Sequence, residues 1–255
     1  MYFDSHAHYD DGRYRADRDE LLEGLPLRGV GFVVNIGADM RSSEKGIRLA
    51  EKYPYIYASV GVHPHSAKDM NAGDLVKMES WLKHPKVVAV GEIGLDFFHN
   101  YSPQDVQREW FKKQLAVAEA ADVPVVIHSR EAAQEVFDIL CASTVRRGVI
   151  HCYAGSAEMA KEYVKMGFLI GVGGVVTFSK GRKLAEVVKE LPIETILIET
   201  DCPYLTPEPY RDKRNDSSYL KFIVEKIADI KGMRSEDVAS ITTENALALY
   251  QIKKG

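Results

Sequence analysis

The chain has 255 residues, a length within reach of one α/β barrel or of two smaller domains. Its net charge of −4 argues against a general electrostatic attraction to nucleic acid, but leaves room for a local basic patch. Three widely spaced cysteines fit a reducing cytosol better than a disulfide framework. The sequence has neither a basic N-terminal region followed by an apolar run nor an apolar run of membrane length. We therefore expect a soluble, cytoplasmic protein with no membrane partner.

Short apolar runs alternate with longer amphipathic segments along the chain, which predicts strands and helices in alternation. A first strand runs into His6 and His8, and further strands are predicted at 30–35, 56–60, 87–90, 125–127, 148–150, 168–172 and 195–198. Helices are predicted at 17–28, 42–52, 71–83, 103–121, 131–140, 157–166 and 183–191, and over 217–250 with breaks near Gly232 and Thr242.

Eight strand–helix units with near-continuous apolar strands indicate a buried parallel sheet. A doubly wound sheet is the alternative, but the sequence lacks the GxGxxG phosphate-binding spacing that often accompanies it. Eight units in one chain favour a (β/α)8 TIM barrel, formed as a single domain over residues 1–255.

Polar side chains of the kinds that bind metals follow most of the predicted strands. Active sites of such barrels lie at the C-terminal ends of the strands, so these side chains should meet at one rim. They are His6 and His8 after the first strand, His63 after the third, Glu92 after the fourth, His128 after the fifth, His151 after the sixth and Asp201 after the eighth. A single histidine in such a place is more often a buried core residue, but the coincidence of so many predicts a metal site.

The donor types narrow the choice of metal without identifying it. Imidazole and carboxylate donors suit Zn²⁺, Mn²⁺ or Mg²⁺, and the donors outnumber the four that one tetrahedral ion needs. Glu92 has two carboxylate oxygens and could bridge two ions. Cys152 and Cys202 neighbour the predicted donors in sequence, and strand alternation predicts that they face away and serve packing. His84 and His99 lie away from the predicted strand ends.

Several motifs carry a resemblance to a known family. They are Asp4-Ser5-His6-Ala7-His8, Gly61-Val62-His63-Pro64-His65, Gly91-Glu92-Ile93-Gly94-Leu95-Asp96, Val126-Ile127-His128-Ser129-Arg130, Ile150-His151-Cys152-Tyr153, Glu199-Thr200-Asp201-Cys202-Pro203-Tyr204-Leu205 and Arg211-Asp212-Lys213-Arg214-Asn215. In this order and over nearly the whole chain, the sequence resembles the TatD-like metal-dependent deoxyribonucleases of the amidohydrolase superfamily.

The resemblance implies roles for individual residues. His63 and Arg130 would contact substrate, as would His65, while Asp96 and Glu199 would orient the histidine donors. For Asp96, a solvent-exposed loop carboxylate is the alternative. The resemblance also implies that one or two divalent metal ions (Zn, Mg or Mn) are held by six residues: His6, His8, Glu92, His128, His151 and Asp201.

Such a centre can activate water, which predicts hydrolysis of DNA phosphodiester bonds with Asp201 as general base and Glu92 as the second catalytic carboxylate. The basic residues Arg211, Lys213 and Arg214 follow the eighth strand and either hold phosphates or form an ordinary solvated surface. We expect single-stranded or end-accessible DNA as the partner of a monomeric enzyme. The alternative is a hydrolase of a small ester, lactone, amide or phosphoester, because barrel and metals alone do not define the substrate.

Overall fold

A computed structural model describes residues 1–253, in which eight parallel strands form one sheet in sequence order. The predicted domain ends at 255, so its last two positions lie outside the described residues. The strands are β1 (Tyr2–Ala7), β2 (Val30–Asn35), β3 (Ile56–Val60), β4 (Val87–Asp96), β5 (Val125–Arg130), β6 (Gly148–Ile150), β7 (Phe168–Val172) and β8 (Ile196–Ile198).

The sheet closes where the chain just beyond β8 meets the end of β1. Ala7 forms a parallel bridge with Cys202, and the Asp201 N–H donates to the His6 carbonyl at 2.9 Å. The Ser5 hydroxyl donates to the Ile198 carbonyl at 3.0 Å. These contacts join the first strand to the last, and the predicted (β/α)8 TIM barrel is confirmed.

Helices follow the strands and cover the outside of the barrel. They are α1 (Arg18–Gly24), α2 (Met40–Lys52), α3 (Ala72–Trp81), α4 (Gln104–Ala120), α5 (Ala133–Ala142), α6 (Ala157–Lys165), α7 (Arg182–Glu190), α8 (Leu220–Lys231) and α9 (Ser235–Tyr250). Within residues 1–253, none of the helices is long and apolar enough to cross a membrane.

Two predicted helix boundaries are wrong for identifiable reasons. The first helix ends at Gly24 rather than at Arg28, and Pro26–Arg28 form a separate 3-10 turn. Proline lacks an N–H and its ring clashes with the preceding turn, so a helix rarely continues through it. The predicted break near Thr242 does not occur, because the Thr242 hydroxyl donates to the Val238 carbonyl at 2.8 Å inside a continuous α9.

Strand β4 is longer than its apolar run predicts. The expected strand ends at Val90, whereas β4 continues to Asp96 by pairing with β5, with Gly94 opposite His128 and Asp96 opposite Arg130. At Gly94 φ is +143°, and a Cβ would lie 2.0 Å from the His128 carbonyl oxygen, so only glycine fits. The extended strand carries Glu92 and Asp96 toward the C-terminal rim.

The last helix, α9, covers the opposite end of the barrel. Its Asn245 side chain donates to the Ile193 and Ile196 carbonyls at the start of β8, and Thr243 donates to the Met1 carbonyl. The Tyr250 ring stacks on Phe3 with 5.9 Å between centroids. The bottom of the barrel is thus filled by apolar packing, which leaves the C-terminal rim open for chemistry.

Candidate metal centre

Six predicted metal-binding side chains meet at the C-terminal rim of the barrel. Three of them lie within strands and three lie just beyond strand ends. They are His6 in β1, Glu92 in β4 and His128 in β5, with His8, His151 and Asp201 following β1, β6 and β8. Residues separated by up to 195 positions in sequence are therefore neighbours, as the parallel topology predicts.

One group of donors surrounds a point between β1 and β8. His6 Nε2 lies 3.1 Å from His8 Nε2 and 3.5 Å from Glu92 Oε2. His8 Nε2 lies 3.4 Å from Asp201 Oδ1. Two donors on one ion at 2.0–2.1 Å are separated by about 3.0–3.4 Å, depending on the angle between them. The observed spacings therefore fit a single divalent cation.

The second oxygen of Glu92 faces a different group of histidines. Glu92 Oε1 lies 2.8 Å from His128 Nδ1 and 3.6 Å from His63 Nε2. His151 Nε2 lies 4.0 Å from the same oxygen and 3.9 Å from Asp201 Oδ1. One carboxylate thus connects two sets of nitrogen donors, which fits the predicted bridging role. His63, one of the ligand-type residues that the resemblance assigns to substrate binding, lies within this donor cluster.

Burial and neighbouring charges shift the pKa values of the cluster's groups in different directions. Burial opposes the charged form of Glu92, but the neighbouring His63 and His128 hold the pKa of its carboxyl well below the usual value. Burial alone would lower the pKa of a histidine, yet Asp201 raises the pKa of His8 to about 9. Glu199 likewise raises the pKa of His151 to about 10. By contrast, burial and a neighbouring histidine lower the pKa values of His6 and His63, so these two rings are neutral, the form in which imidazole binds a metal.

Glu199 contacts His151 on the side of the ring that faces away from Glu92 and Asp201, as predicted. It is fully buried, and its Oε1 lies 3.0 Å from His151 Nδ1 and accepts the Cys152 N–H at 2.6 Å. Because Nδ1 of His151 faces Glu199, its Nε2 is the nitrogen turned toward Glu92 and Asp201. A carboxylate in this position orients the ring and strengthens it as a ligand.

Asp96 is fully buried and contacts three histidines, so the alternative of a solvent-exposed loop carboxylate is wrong. Its Oδ2 lies 2.7 Å from His65 Nε2, 3.0 Å from His99 Nδ1 and 3.4 Å from His128 Nε2. Burial opposes ionisation, but hydrogen bonds from His128, His99 and His65 lower the pKa of Asp96. The carboxylate therefore positions both His128 and the half-exposed His65.

Two residues were misjudged from sequence. His99 was assigned away from the site, but it lies on the rim because the chain after β4 turns back over Asp96, whose Oδ1 accepts the His99 N–H at 2.9 Å. Cys152 was expected to face away, yet its sulfur lies within 4.8 Å of donor atoms of His151 and Asp201. Strand alternation does not apply to it, because β6 ends at Ile150 and Cys152 has φ +45°. Cys202 is buried in the core, as predicted.

The predicted substrate-binding arginines have different environments. Arg130 is exposed at the end of β5, and its guanidinium lies 4.2 Å from the centre of the exposed Phe98 ring. Arg214 is engaged in the fold, since both terminal nitrogens bind the Asp17 carboxylate, at 2.9 and 2.5 Å. Arg211 donates to the Thr206 carbonyl and stacks on Phe178, whereas Lys213 is exposed beside Asp212.

Exposed aromatic rings, which the sequence analysis did not single out, lie on both sides of the centre. Phe98 and Tyr101 follow β4 and are 53% and 59% exposed. On the β8 side, Tyr204 is 48% exposed, its N–H donates to the Asp201 carbonyl, and Arg13 lies 3.9 Å above its ring. In a barrel of eight strands in sequence order, the β4–β5 pair lies across the barrel from the β8–β1 pair. The centre therefore lies between two aromatic surfaces.

Comparisons with known proteins agree with this geometry. The uncharacterized metal-dependent hydrolase YabD of Bacillus subtilis is 44% identical over 254 residues, which cover 99% of this chain and 100% of that protein. A protein of Salmonella typhimurium named 3'-5' ssDNA/RNA exonuclease TatD is 31% identical, with 98% and 99% coverage. The crystal structure of a TatD homolog from Escherichia coli superimposes with a TM-score of 0.93 at 28% identity, over 99% and 98% of the two chains.

A family model covers almost the entire chain. The model is described as TatD related DNase and matches residues 3–251, from β1 to just beyond α9. The matched range includes every residue of the donor cluster. The chain belongs to the TatD related DNase family of metal-dependent hydrolases.

Proposed function

We propose that this protein is a divalent-metal-dependent exonuclease that hydrolyses single-stranded DNA or RNA from the 3′ end. The observation that carries the proposal is the donor cluster in which both oxygens of Glu92 face separate histidine groups. Relatives named 3'-5' ssDNA/RNA exonuclease support the substrate class and the direction. The metal, whether Zn²⁺, Mg²⁺ or Mn²⁺, would be held by His6, His8, Glu92, His128, His151 and Asp201, with His63 as a further donor.

A divalent cation bound there would supply Lewis-acid chemistry and acidify a nearby water molecule. The Asp201 carboxylate would accept the proton of the attacking water, because it is ionised and lies beside the histidine donors. The Arg130 guanidinium would bind the phosphate oxygens as negative charge develops on them. His65, held by Asp96, would also contact the substrate.

The aromatic rings of the rim support a single-stranded substrate. An unpaired base can stack on Phe98 or Tyr204, and such stacking contributes about 1–3 kcal/mol per base. Bases in a duplex already stack on their neighbours and offer no free face. Arg130, which lies against the Phe98 ring, would add a positive charge at that stacking position, whereas Arg13 beside Tyr204 is paired with Asp11.

The test separates the general base from the metal ligands. Asp201→Asn keeps an oxygen that can coordinate metal but removes the group that accepts the proton. We expect turnover of a 3′-labelled single strand to fall by about 10²–10⁴-fold with metal content largely retained. His128→Ala should lose metal first and activity as a consequence. Asp212→Asn, which removes the same charge from an exposed position on the same rim, is the control and should resemble the parent.

Two results would contradict the proposal. If Asp201→Asn keeps its metal and turns over within a few-fold of the parent, Asp201 is not the general base. If the metal-loaded parent hydrolyses small esters, lactones, amides or phosphoesters but neither DNA nor RNA, the alternative function replaces the nuclease. A panel with single strands, duplexes, RNA and small esters decides between the two. Size-exclusion chromatography and cell fractionation test the monomeric state and the cytoplasmic location, which stay predictions.

A further inference from the structure

A basic groove lies beside the metal centre, between the loop after β1 and helix α2. Its cavity volume is about 560 Å³, and its lining includes the acidic Asp10. The cationic residues that line it, which define the basic groove, are Arg15, Arg18, Arg41, Lys45, Arg48 and Lys52. Such a density of positive charge is unexpected in a chain whose net charge is −4. The groove therefore has a different character from the rest of the surface.

The charges on helix α2 form a regular stripe. Arg41, Lys45, Arg48 and Lys52 follow the spacing i, i+4, i+7 and i+11, which aligns them along one face over about 16 Å. Like charges at this spacing destabilise a helix by about 0.2–0.5 kcal/mol per pair where no carboxylate within residues 1–253 compensates them, as at Arg41 and Lys45. Phosphates of one strand are about 3.4 Å apart along the axis of a duplex and farther apart in an extended single strand, so the stripe can accompany at most about five phosphates.

Part of this charge is not neutralised by the protein. Arg48 and Lys52 pair with Glu44 and Asp19. The side chains of Arg15 and Arg41 have no hydrogen bond or ion pair with any residue between 1 and 253. The Lys45 ammonium reaches only the Asp10 carbonyl, at 3.5 Å.

The loop after β1 carries residues of both the groove and the centre. Asp10 lines the groove and is two residues from His8. Arg18 fixes this loop, because its guanidinium donates to the carbonyls of Tyr9, Asp10 and Asp11. A chain that leaves the centre on the β1 side would therefore enter the groove directly.

We propose that the basic groove binds the phosphate backbone of a single-stranded nucleic acid, several nucleotides away from the scissile bond. This inference rests on the proposed nuclease function, since it extends the same substrate beyond the metal centre. The phosphates would lie against Arg15 on one wall and Arg41 and Lys45 on the other. Affinity should consequently increase with strand length until the groove is filled, and it should depend strongly on salt.

The experiment compares two triple variants that lose the same charge. The groove variant is Arg15→Gln, Arg41→Gln, Lys45→Gln, and the control is Lys161→Gln, Lys165→Gln, Lys189→Gln, on the exposed surface of α6 and α7. Binding of a cleavage-resistant phosphorothioate 20-mer and trimer is measured by fluorescence anisotropy from 0.05 to 0.3 M salt. Glutamine preserves helix propensity, and thermal melting together with turnover of a small phosphodiester checks the fold.

We expect the groove variant to bind the 20-mer about 100-fold more weakly at 0.1 M salt, with a salt slope smaller by about 2, or 0.7 for each lost contact. Trimer binding should stay within twofold of the parent, and the control should keep the parent's slope. If the groove variant and the control bind the 20-mer alike, the inference is overturned even when the parent is an active nuclease. If the groove holds the 20-mer but no strand is ever cleaved, the proposed function fails and the inference stands.

Discussion

Gly171, at the end of β7, allows Glu199 to reach His151, and a single methyl group there should disturb the centre without touching a metal donor. A Cβ at position 171 would lie 2.6 Å from Glu199 Oε2 and 2.9 Å from its Oε1 and Cδ. Glu199 is fully buried and held by His151 and the Cys152 N–H, so it has little room to withdraw. Gly171→Ala is therefore a test of the orienting role of Glu199.

The size of the effect follows from these distances. An ordinary carbon–oxygen contact is about 3.3–3.6 Å, so the Glu199 carboxylate must shift by about 0.7–1.0 Å. That shift breaks or lengthens its contact with His151, and loss of such an orienting carboxylate typically lowers metal affinity or activity by about 10–100-fold. The overpacking should also cost about 1–3 kcal/mol of unfolding free energy, a decrease in Tm of roughly 2–12 °C.

The assay is metal affinity by chelator competition, together with turnover at saturating metal and thermal melting. Gly173→Ala is a matched control two residues away, because its Cβ would lie no closer than 3.4 Å to any part of Glu199. A double-mutant cycle sharpens the test, since Gly171→Ala should change metal affinity less in a Glu199→Gln background. Equal metal affinities for Gly171→Ala and Gly173→Ala would refute the reasoning, because the methyl group would then be accommodated without moving the carboxylate.

Three further outcomes are expected. In anisotropy titrations, Tyr204→Ala should weaken binding of a single strand by about 1–3 kcal/mol per stacked base and leave binding of a duplex unchanged. An equal loss for both substrates would exclude stacking of an unpaired base on Tyr204. Arg214→Ala should leave the salt slope of oligonucleotide binding unaltered, because its guanidinium binds Asp17. A slope reduced by about 0.7 would instead support the prediction that Arg214 binds phosphate. After the metal is removed by a chelator, the protein should still melt in one cooperative transition. Metal added at 100 times its Kd should raise the unfolding free energy by about 2.7 kcal/mol in calorimetry. Loss of the cooperative transition on chelation would contradict a core that folds without metal.

The barrel was predictable because the sequence repeats one physical pattern eight times. Buried parallel strands are apolar on both faces, and runs such as Val125–Ile127 show this directly. The predicted boundaries of strands and helices were wrong where tertiary contacts override the local conformational preference. Gly91 and Gly94 look like strand breakers, yet they lie inside β4 because the neighbouring backbone of β5 approaches too closely for a side chain. This close contact between strands exists only in the assembled sheet, so it cannot be predicted from a local sequence pattern.

The donor cluster was predictable for the same topological reason. Parallel strands bring their C-terminal ends to one rim, so His6, Glu92 and Asp201 are neighbours once the strands are identified. The contacts around the donors were harder to predict from the sequence, because they depend on the conformation of loops. His99 reaches Asp96 only through the turn after β4, and Cys152 approaches Asp201 only because its backbone is left-handed.

The proposed nucleic-acid-binding surface differs from the one predicted from the sequence, because folding supplies ion-pair partners to some basic residues and not to others. Arg214 stands in a basic run of the sequence, but the chain folds so that Asp17 meets it and Tyr14 stacks on it. Arg41 stands in a run that looks ordinary, but α2 presents it to a groove without a carboxylate partner among the described residues. A charge binds an external phosphate well only when it is not already satisfied within the protein. Helical spacing places Arg41 and Lys45, which have no carboxylate partner among the described residues, one turn apart on the same face, so the groove depends on position along α2 and not on the local density of basic residues.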